Sequence, residues 1–337
     1  MTQSIDLETD LVTPASEEER KAAWLAERKT CITGTEISAI FGLSPWMKPI
    51  DVWADKKGFR EPIPETPQLR AGKRFERAIL EEYSAINQIP LDFADHYQLI
   101  KVPGFPLLGA TLDARWTIGD RRPVDAKNLR FKDDAWGDDG SSEFPDYYRM
   151  QLHVQAMACT TPAAELAPCF SGQDFYRYIL PHDPEVDDLL KEEAERWWKK
   201  HIIDGVQPEP DGSESFTTYL KTRFKRNKLD LIEATDEARE IIDGLKLAKD
   251  ELAQAEQKKA LAEQNLKLLV GDHEGIAGLC TWKSNKDSEK TDYEAVTIKL
   301  RDRLESAIGM KDAFDLFQES KLDNTKTAPG ARVLRLK

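Results

Sequence analysis

The chain is poor in cysteine. Cys31, Cys159, Cys169 and Cys280 are its four, scattered over 337 residues, with no Cys-x-x-Cys and no histidine pair at finger spacing. That argues against a disulfide framework or a structural zinc and leaves free thiols in a reducing compartment. Long apolar runs are also missing, and no stretch approaches the ~20 residues a membrane helix needs. The opening MTQSIDLETDLVTPASEEER is acidic and has no apolar core, so it does not read as a secretory signal. The expectation is a cytoplasmic protein, neither exported by the common route nor membrane-anchored. Positive charge is the scarcer sign: acids outnumber bases 61 to 48, for a formal net charge of -13. The surface as a whole therefore does not suit indiscriminate DNA binding, although a local basic groove is compatible with it. What the chain does have is 40% hydrophobic and 9% aromatic residues. That suffices for a sizeable core in one large domain or two ordinary ones.

Periodicity and turn signals organise the chain. A flexible lead over 1–17 precedes a helix over 17–27. A second helix, capped by Thr33 or Thr35, runs to Phe41 and stops at Gly42. DVWADKK (51–57) reads as a third helix, and the proline-rich stretch 58–69 as a connector. A fourth, over 71–87, carries Phe75, Ile79, Leu80 and Tyr83 as one stripe. Strands are expected over 98–102, 107–113 and 123–129, then a loop over 131–146 and a helix over 147–159. A strand near 174–179 and a helix from Glu185 to about His201 follow. GVQPEPDGSES (205–215) is a polar linker, which sets a first domain at 18–210 and a C-terminal helical arm at 211–337. In that arm, Ala238, Ile241, Leu245, Ala248, Leu252, Ala255, Ala262, Leu266 and Leu269 recur at spacings of three and four, with Lys259 interrupting. This suggests a helical arm or a coiled-coil hairpin. A helix over 292–308 and short strands at 278–283 and 332–336, a terminal β-ribbon, complete it.

The strongest chemical feature is Gly109-Ala110-Thr111-Leu112-Asp113, a turn, then Val124-Asp125-Ala126-Lys127. Strand alternation sends Asp125 and Lys127 to one face, about 7 Å apart along the chain. A hairpin would bring Asp113 toward Asp125. Two carboxylates held close repel unless a cation sits between them, and hard oxygen donors suit Mg²⁺ or Mn²⁺. A lysine beside them can hold an attacking water and offset the charge of a scissile phosphate. An isolated Asp-x-Lys equally describes an ion pair on an exposed strand. The surrounding order changes its weight: Glu76 on a helix, Asp113, Asp125-x-Lys127, then Gln151 and Gln155 at i,i+4 on a helix. Each also has a plainer reading. Glu76 reads as a solvated acid, Arg28 as a partner of Glu36, Thr35 as a cap and Gln151 as a surface amide. His96 and His153 read as ordinary histidines, and Trp53, Trp116 and Trp136 as core or loop anchors. The acids Asp133, Asp134, Asp138, Asp139 and Glu143 fit a solvated loop or a second ion. Two basic clusters stand out, one around the Asp-x-Lys strand and one of Lys221, Arg223, Lys225, Arg226 and Lys228. The second reads as a DNA-backbone contact or a solvated face.

Five motifs stand in a fixed order: ITGTEISAIFG (32–42), GKRFE (72–76), GATLDA (109–114), VDAK (124–127) and PDYYRMQLHVQ (145–155). Over about residues 20–205 the chain thereby resembles the PD-(D/E)xK nuclease superfamily. Within it, the chain resembles the YqaJ-type viral recombinases related to phage lambda exonuclease. The resemblance implies an α/β (α+β) restriction-endonuclease-like core, a mixed central sheet flanked by helices, with a helical extension beyond it. It implies Asp113, Asp125 and Glu76 as the metal set, Lys127 as the water-orienting lysine, and Arg28, Thr35 and Gln151 as holders of the 5′ phosphate. The family more often has Glu at the position of Asp125 and Ser at that of Thr35. The implied cofactor is Mg²⁺, with Mn²⁺ as a substitute. An iron–sulfur cluster is not expected, because the cysteines do not match the four-cysteine relatives. The implied activity is 5′-to-3′ digestion of linear double-stranded DNA ends to leave 3′ overhangs for a single-strand annealing recombinase. It would act as a homo-oligomeric ring, a trimer among the sizes considered, in the cytoplasm of a bacterial host. The same fold also serves restriction- or repair-type endonucleases and non-catalytic DNA-binding or assembly proteins.

Overall fold

A computed structural model of the chain describes residues 16–60, 66–224, 231–282 and 293–309, and positions 312, 314 and 315. The lead before Ser16, the basic residues Lys225, Arg226 and Lys228 and the strand expected over 332–336 lie outside the described residues. The chain divides into two units, Met1–Lys225 and Arg226–Lys337.

In the first unit, α1 (Glu17–Arg28) opens on a reciprocal cap: Ser16 Oγ accepts from Glu19 N–H, and the Glu19 carboxylate accepts from Ser16 N–H. Next come β1 (Ile32–Thr33), α2 (Gly34–Ile40), α3 (Pro49–Lys56) and α4 (Pro67–Asn87). Helix α4 begins earlier than Ala71. Thr66 caps it and Pro67 fills the first turn, where a missing N–H costs nothing. Then follow β2 (Leu91–Phe93), β3 (Ile100–Val102), β4 (Phe105–Ala110), β5 (Ala114–Trp116), β6 (Pro123–Leu129) and α5 (Asp146–Cys159). The unit closes with β7 (Ala163–Phe170), β8 (Asp174–Phe175), β9 (Tyr178–Pro181), α6 (Pro184–Trp197) with a π-helical turn over Trp198–Ile203, and α7 (Glu214–Arg223).

Two mixed sheets result. The larger runs β2-β5-β6-β7-β8, with β9 also on β7, and its parallel pair is β6–β7. The smaller runs β1-β4-β3, with β1 parallel to β4. Helix α4 packs on one face of the larger sheet, where Ile79, Leu80 and Tyr83 meet Ala114, Val124, Ala126, Ala167 and Cys169. The other face is covered from α5, where Tyr148, Leu152 and Ala156 meet Ala164, Leu166 and Phe170. This is the mixed sheet flanked by helices that the sequence led one to expect.

Two strand expectations need correction, and one strand, β7, was not expected. The strand over 107–113 stops at Ala110, and β5 is a separate strand that pairs antiparallel with β6. The strand over 174–179 is two strands, broken at Tyr176-Arg177, that pair with different stretches of β7. Strand β7 itself is buried along its whole length and shows no alternation.

The second unit contains α8 (Asp236–Val270), the hairpin of β10 (Gly275–Ile276) and β11 (Cys280–Thr281), and α9 (Tyr293–Ile308). Among the described residues, no helix is long and apolar enough to cross a membrane.

Candidate active site

Strand β6 has helices on both faces, so its alternation decides what meets what. Val124 and Ala126 face α4. Asp125 and Lys127 face α5. Asp125 is only 2% exposed. Its Oδ1 accepts from Gln151 Nε2 at 2.6 Å and from Gln155 Nε2 at 2.8 Å, the two amides that helical spacing puts on one side of α5. Its Oδ2 pairs with the ammonium of Lys127. That ammonium lies 5.3 Å from the centre of the Tyr148 ring. Asp113, in the crossing from β4 to β5, turns its Oδ2 onto the Ala126 N–H at 2.8 Å. One backbone donor of β6 therefore fixes the second carboxylate next to the first.

These acids exceed the positive charge beside them. Burial, then the charge of Asp125, holds the Asp113 carboxyl well above the usual carboxylate range, and Lys127 only partly offsets this. Glu76 is also raised, by burial first and by Asp125, against the opposing pull of His96, whose Nδ1 lies 3.4 Å from Glu76 Oε1. For Lys127 burial disfavours the charged form. Asp125, Asp113 and Glu76 outweigh it, and the pKa is raised.

Among the described residues no three His, Cys, Asp or Glu side chains converge in a metal-holding group. Glu76 sits within electrostatic range of the pair but bonds to His96. The donor chemistry nonetheless fits a hard divalent cation. Asp113 and Asp125 present carboxylate oxygens, and their mutual repulsion is what an Mg²⁺-sized charge relieves.

The residues expected to hold a 5′ phosphate lie around the start of α2. Gly34 abuts Gln151, so a Cβ there would lie 3.1 Å from the Gln151 carbonyl oxygen. The cap of α2 is Thr33, whose N–H donates to Glu36 Oε2 at 2.8 Å. Thr35 is exposed, its hydroxyl 3.3 Å from that of Thr33. Arg28 ends α1 with its guanidinium 4.8 Å from the Trp24 ring and 3.9 Å from Glu36 Oε1.

Glu36 has a closer partner that sequence reasoning missed. Lys56, fully buried on α3, donates to both Glu36 oxygens at 2.8 and 2.7 Å and to the Arg28 carbonyl at 2.7 Å. It thereby ties the end of α1 to α2 and leaves the Arg28 guanidinium partly exposed. A signal was available: Lys56 falls three and four residues after Trp53 and Val52, on the buried stripe of α3.

Residues 23–163 match the family model of the YqaJ-like viral recombinase domain. Over this segment the chain is similar to that family. The segment contains Arg28, Thr35, Glu76, Asp113, Asp125, Lys127 and Gln151. Over 259 residues the chain is 25% identical to the uncharacterized protein YqaJ of Bacillus subtilis (strain 168), covering 74% of this chain and 78% of that protein. Among solved structures, the alkaline exonuclease LHK-Exo of Laribacter hongkongensis is similar at 12% identity and a TM-score of 0.44, over 54% of this chain and 93% of that one. A phage related exonuclease from Haemophilus somnus 129PT is similar at 10% identity and a TM-score of 0.37, over 52% of this chain and 96% of that one.

The remaining candidates make packing contacts. Trp53 and Trp136 are buried, and Trp116 lies against Arg122 and Arg177. His153 is buried beside Asp187, and the loop carrying Asp138 and Asp139 is anchored by Trp136 and by a bond from Tyr178 to Gly137. A second buried acid, Glu165, belongs to the α4 side of the sheet. It accepts from Tyr83, from Arg122 at 3.2 Å and from Arg177 at 2.9 and 2.8 Å.

Proposed function

We propose that the chain is a metal-dependent deoxyribonuclease that acts as an exonuclease on the ends of linear duplex DNA. The observation that carries this reading is the arrangement on β6. A buried Asp125 is clamped by two α5 amides on one oxygen and paired with Lys127 on the other, with Asp113 fixed alongside. A merely structural Asp-x-Lys pair has no use for a second, protonation-prone carboxylate at its side. The match to the recombinase family model is consistent with it.

Asp113 and Asp125 would hold a divalent ion, with Glu76 completing the set directly or through water. Bound there, such an ion supplies a Lewis acid for the phosphate and lowers the pKa of a coordinated water. The protein's own side chains do the rest. Lys127, with its raised pKa, stays an ammonium at neutral pH. It therefore orients water and offsets phosphate charge rather than accepting a proton. Gln151 and Gln155 keep Asp125 in one rotamer. Arg28, at the end of α1, and Thr35, in the first turn of α2, would bind a terminal 5′ phosphate. That placement favours removal of 5′ mononucleotides and a 3′ overhang, the substrate of a single-strand annealing partner. The resemblance adds a ring-shaped homo-oligomer as the working form.

The test supplies plasmid and linear duplex with Mg²⁺ or Mn²⁺. Selective loss of the linear form, abolished in Asp113→Ala and Lys127→Ala, supports the reading. Nicking of circles points to an endonuclease instead. Hydrolysis that survives both substitutions overturns the site.

A further inference from the structure

Helix α8 spans 35 residues, about 52 Å. Its apolar side is uncovered. Ile241, Leu252, Leu266 and Leu269 are between 43% and 74% exposed, and among its residues only Val270 is buried. Written as heptads from Ala238, the seam reads Ala238, Ile241, Leu245, Ala248, Leu252, Ala255, Lys259, Ala262, Leu266 and Leu269. These are a and d positions over five heptads, apolar at each one but Lys259.

The order of sizes and charges in that seam specifies its own partner. If a second copy runs antiparallel with Leu252 facing the partner's Ala255, every a position meets a d position. Leu245 then meets Ala262, Leu252 meets Ala255, Ala238 meets Leu269, and Ile241 meets Leu266. Four of the five distinct layers, those of Lys259 and Ala248 included, join a long side chain to a methyl, as interdigitation requires. The flanking charges agree. In this register Glu251 faces Lys258 and Lys249 faces Glu256, each twice by symmetry. A parallel, in-register pair would instead set Lys259 against Lys259 in the core and Glu251 against Glu256 at the rim. A sparser row, Leu247, Leu261 and Leu268, lies outside the seam, and this pairing leaves it free.

We propose that α8 is a self-association surface that pairs antiparallel with α8 of a second copy of this chain. The two-fold contact it makes is closed, so it joins two copies rather than propagating a ring.

The experiment uses the full-length chain and reads mass, so it is independent of whether the protein cleaves DNA. Sedimentation of the unsubstituted chain at micromolar concentration is expected to show self-association. Glu251→Lys brings lysine against Lys258 twice per pair and is expected to weaken association about five-fold or more. The exchange E251K/K258E restores it. A parallel pair predicts the opposite sign, because E251K would relieve its Glu251–Glu256 clash. Orientation is read by oxidation of mixed single-cysteine variants. Ala248→Cys and Lys259→Cys should cross-link to each other and not to themselves, above the background of the unsubstituted chain. Circular dichroism confirms that each variant keeps its helix. A single-chain mass at tens of micromolar, unaltered or tighter association in E251K, or self-cross-linking of A248C overturns the proposal.

Discussion

Gly34→Ala is the smallest change that reaches the candidate site through packing alone. Gly34 has no left-handed backbone to protect, so alanine is conformationally admissible. The difficulty is space. A Cβ would stand 3.1 Å from the Gln151 carbonyl oxygen, 3.2 Å from its Cα and 3.3 Å from its Cγ. Two of these are backbone atoms of α5 and cannot swing aside. Helices α2 and α5 must therefore separate by a few tenths of an ångström. Overpacking of this kind costs about 1–3 kcal/mol, and replacing glycine in a helix returns up to about 1 kcal/mol. The net loss of stability is then roughly 0–3 kcal/mol, measurable by urea titration. The larger effect is on geometry. Gln151 is the nearer of the two amides on Asp125, at 2.6 Å against 2.8 Å for Gln155. Moving it frees one side of a carboxylate whose placement the chemistry requires. Displacements well under an ångström carry rate penalties on the order of ten-fold. Steady-state hydrolysis of linear duplex should fall about that much in kcat, at a temperature where the variant is fully folded. Unchanged kcat with the expected loss of stability would refute the link from Gly34 through Gln151 to Asp125.

Asp113→Asn should abolish hydrolysis and raise Tm at neutral pH. The folded pKa of Asp113 lies above its ordinary value of 3.8, so the folded chain binds more protons in that window. The site's stabilising contribution is therefore full below 3.8 and lost as pH rises through the folded value, and Tm against pH should show the variant's advantage vanishing in acid. Millimolar Mg²⁺ should raise Tm of the unsubstituted chain, by about 2.7 kcal/mol of added stability at a hundred-fold excess over Kd, and should leave D113N almost unmoved. Lys56→Met is expected to release Arg28. The preference for 5′-phosphorylated over 5′-hydroxyl ends should collapse as it does in Arg28→Ala, while activity on 5′-hydroxyl ends is retained. Glu165→Gln takes the carboxylate from the Arg177 guanidinium beside a fully buried side chain, while Arg122 keeps Asp120 at 2.6 Å, and should cost about 3 kcal/mol in urea unfolding.

What the sequence disclosed followed the regularity of each element. Asp125 and Lys127 on one face, and Gln151 and Gln155 on one side of a helix, follow from periods of two and 3.6, and the structure joins the two sets directly. Asp113 was legible as a neighbour, but its means of support was not. A crossing between two sheets replaces the expected hairpin, and the side chain is held by the Ala126 N–H. Strand β7 escaped notice because a strand buried on both faces shows no alternation and AAELAPCF has no β-branched residue. Pro168 also argues against a central strand. It falls between the stretches of β7 that pair with β9, at 163–166, and with β8, at 169–170. Lys56 and Glu165 were invisible for another reason: a buried charge is recognisable only once its partners, distant in sequence, are in place.

The shorter carboxylate at position 125 makes physical sense in this setting. A glutamate there would reach one methylene further. Here Asp125 is almost wholly buried, and its carboxylate meets two amides that arrive from α5. Both take the same oxygen, Oδ1. That leaves Oδ2 as the only oxygen directed at the charge beside it, and Lys127 holds it. A divalent ion and the lysine must therefore share one carboxylate oxygen, or the lysine must yield it. An ammonium displaced from Oδ2 has Asp113, Glu76 and the face of Tyr148 around it, which keep it charged and close by. From there it can reach the oxygens of a phosphate or a water. On the proposed reading, that exchange of partners at a single oxygen would make Asp125 a ligand of the ion and leave Lys127 a free ammonium beside it. The two glutamines, both on Oδ1, would fix which oxygen is exchanged.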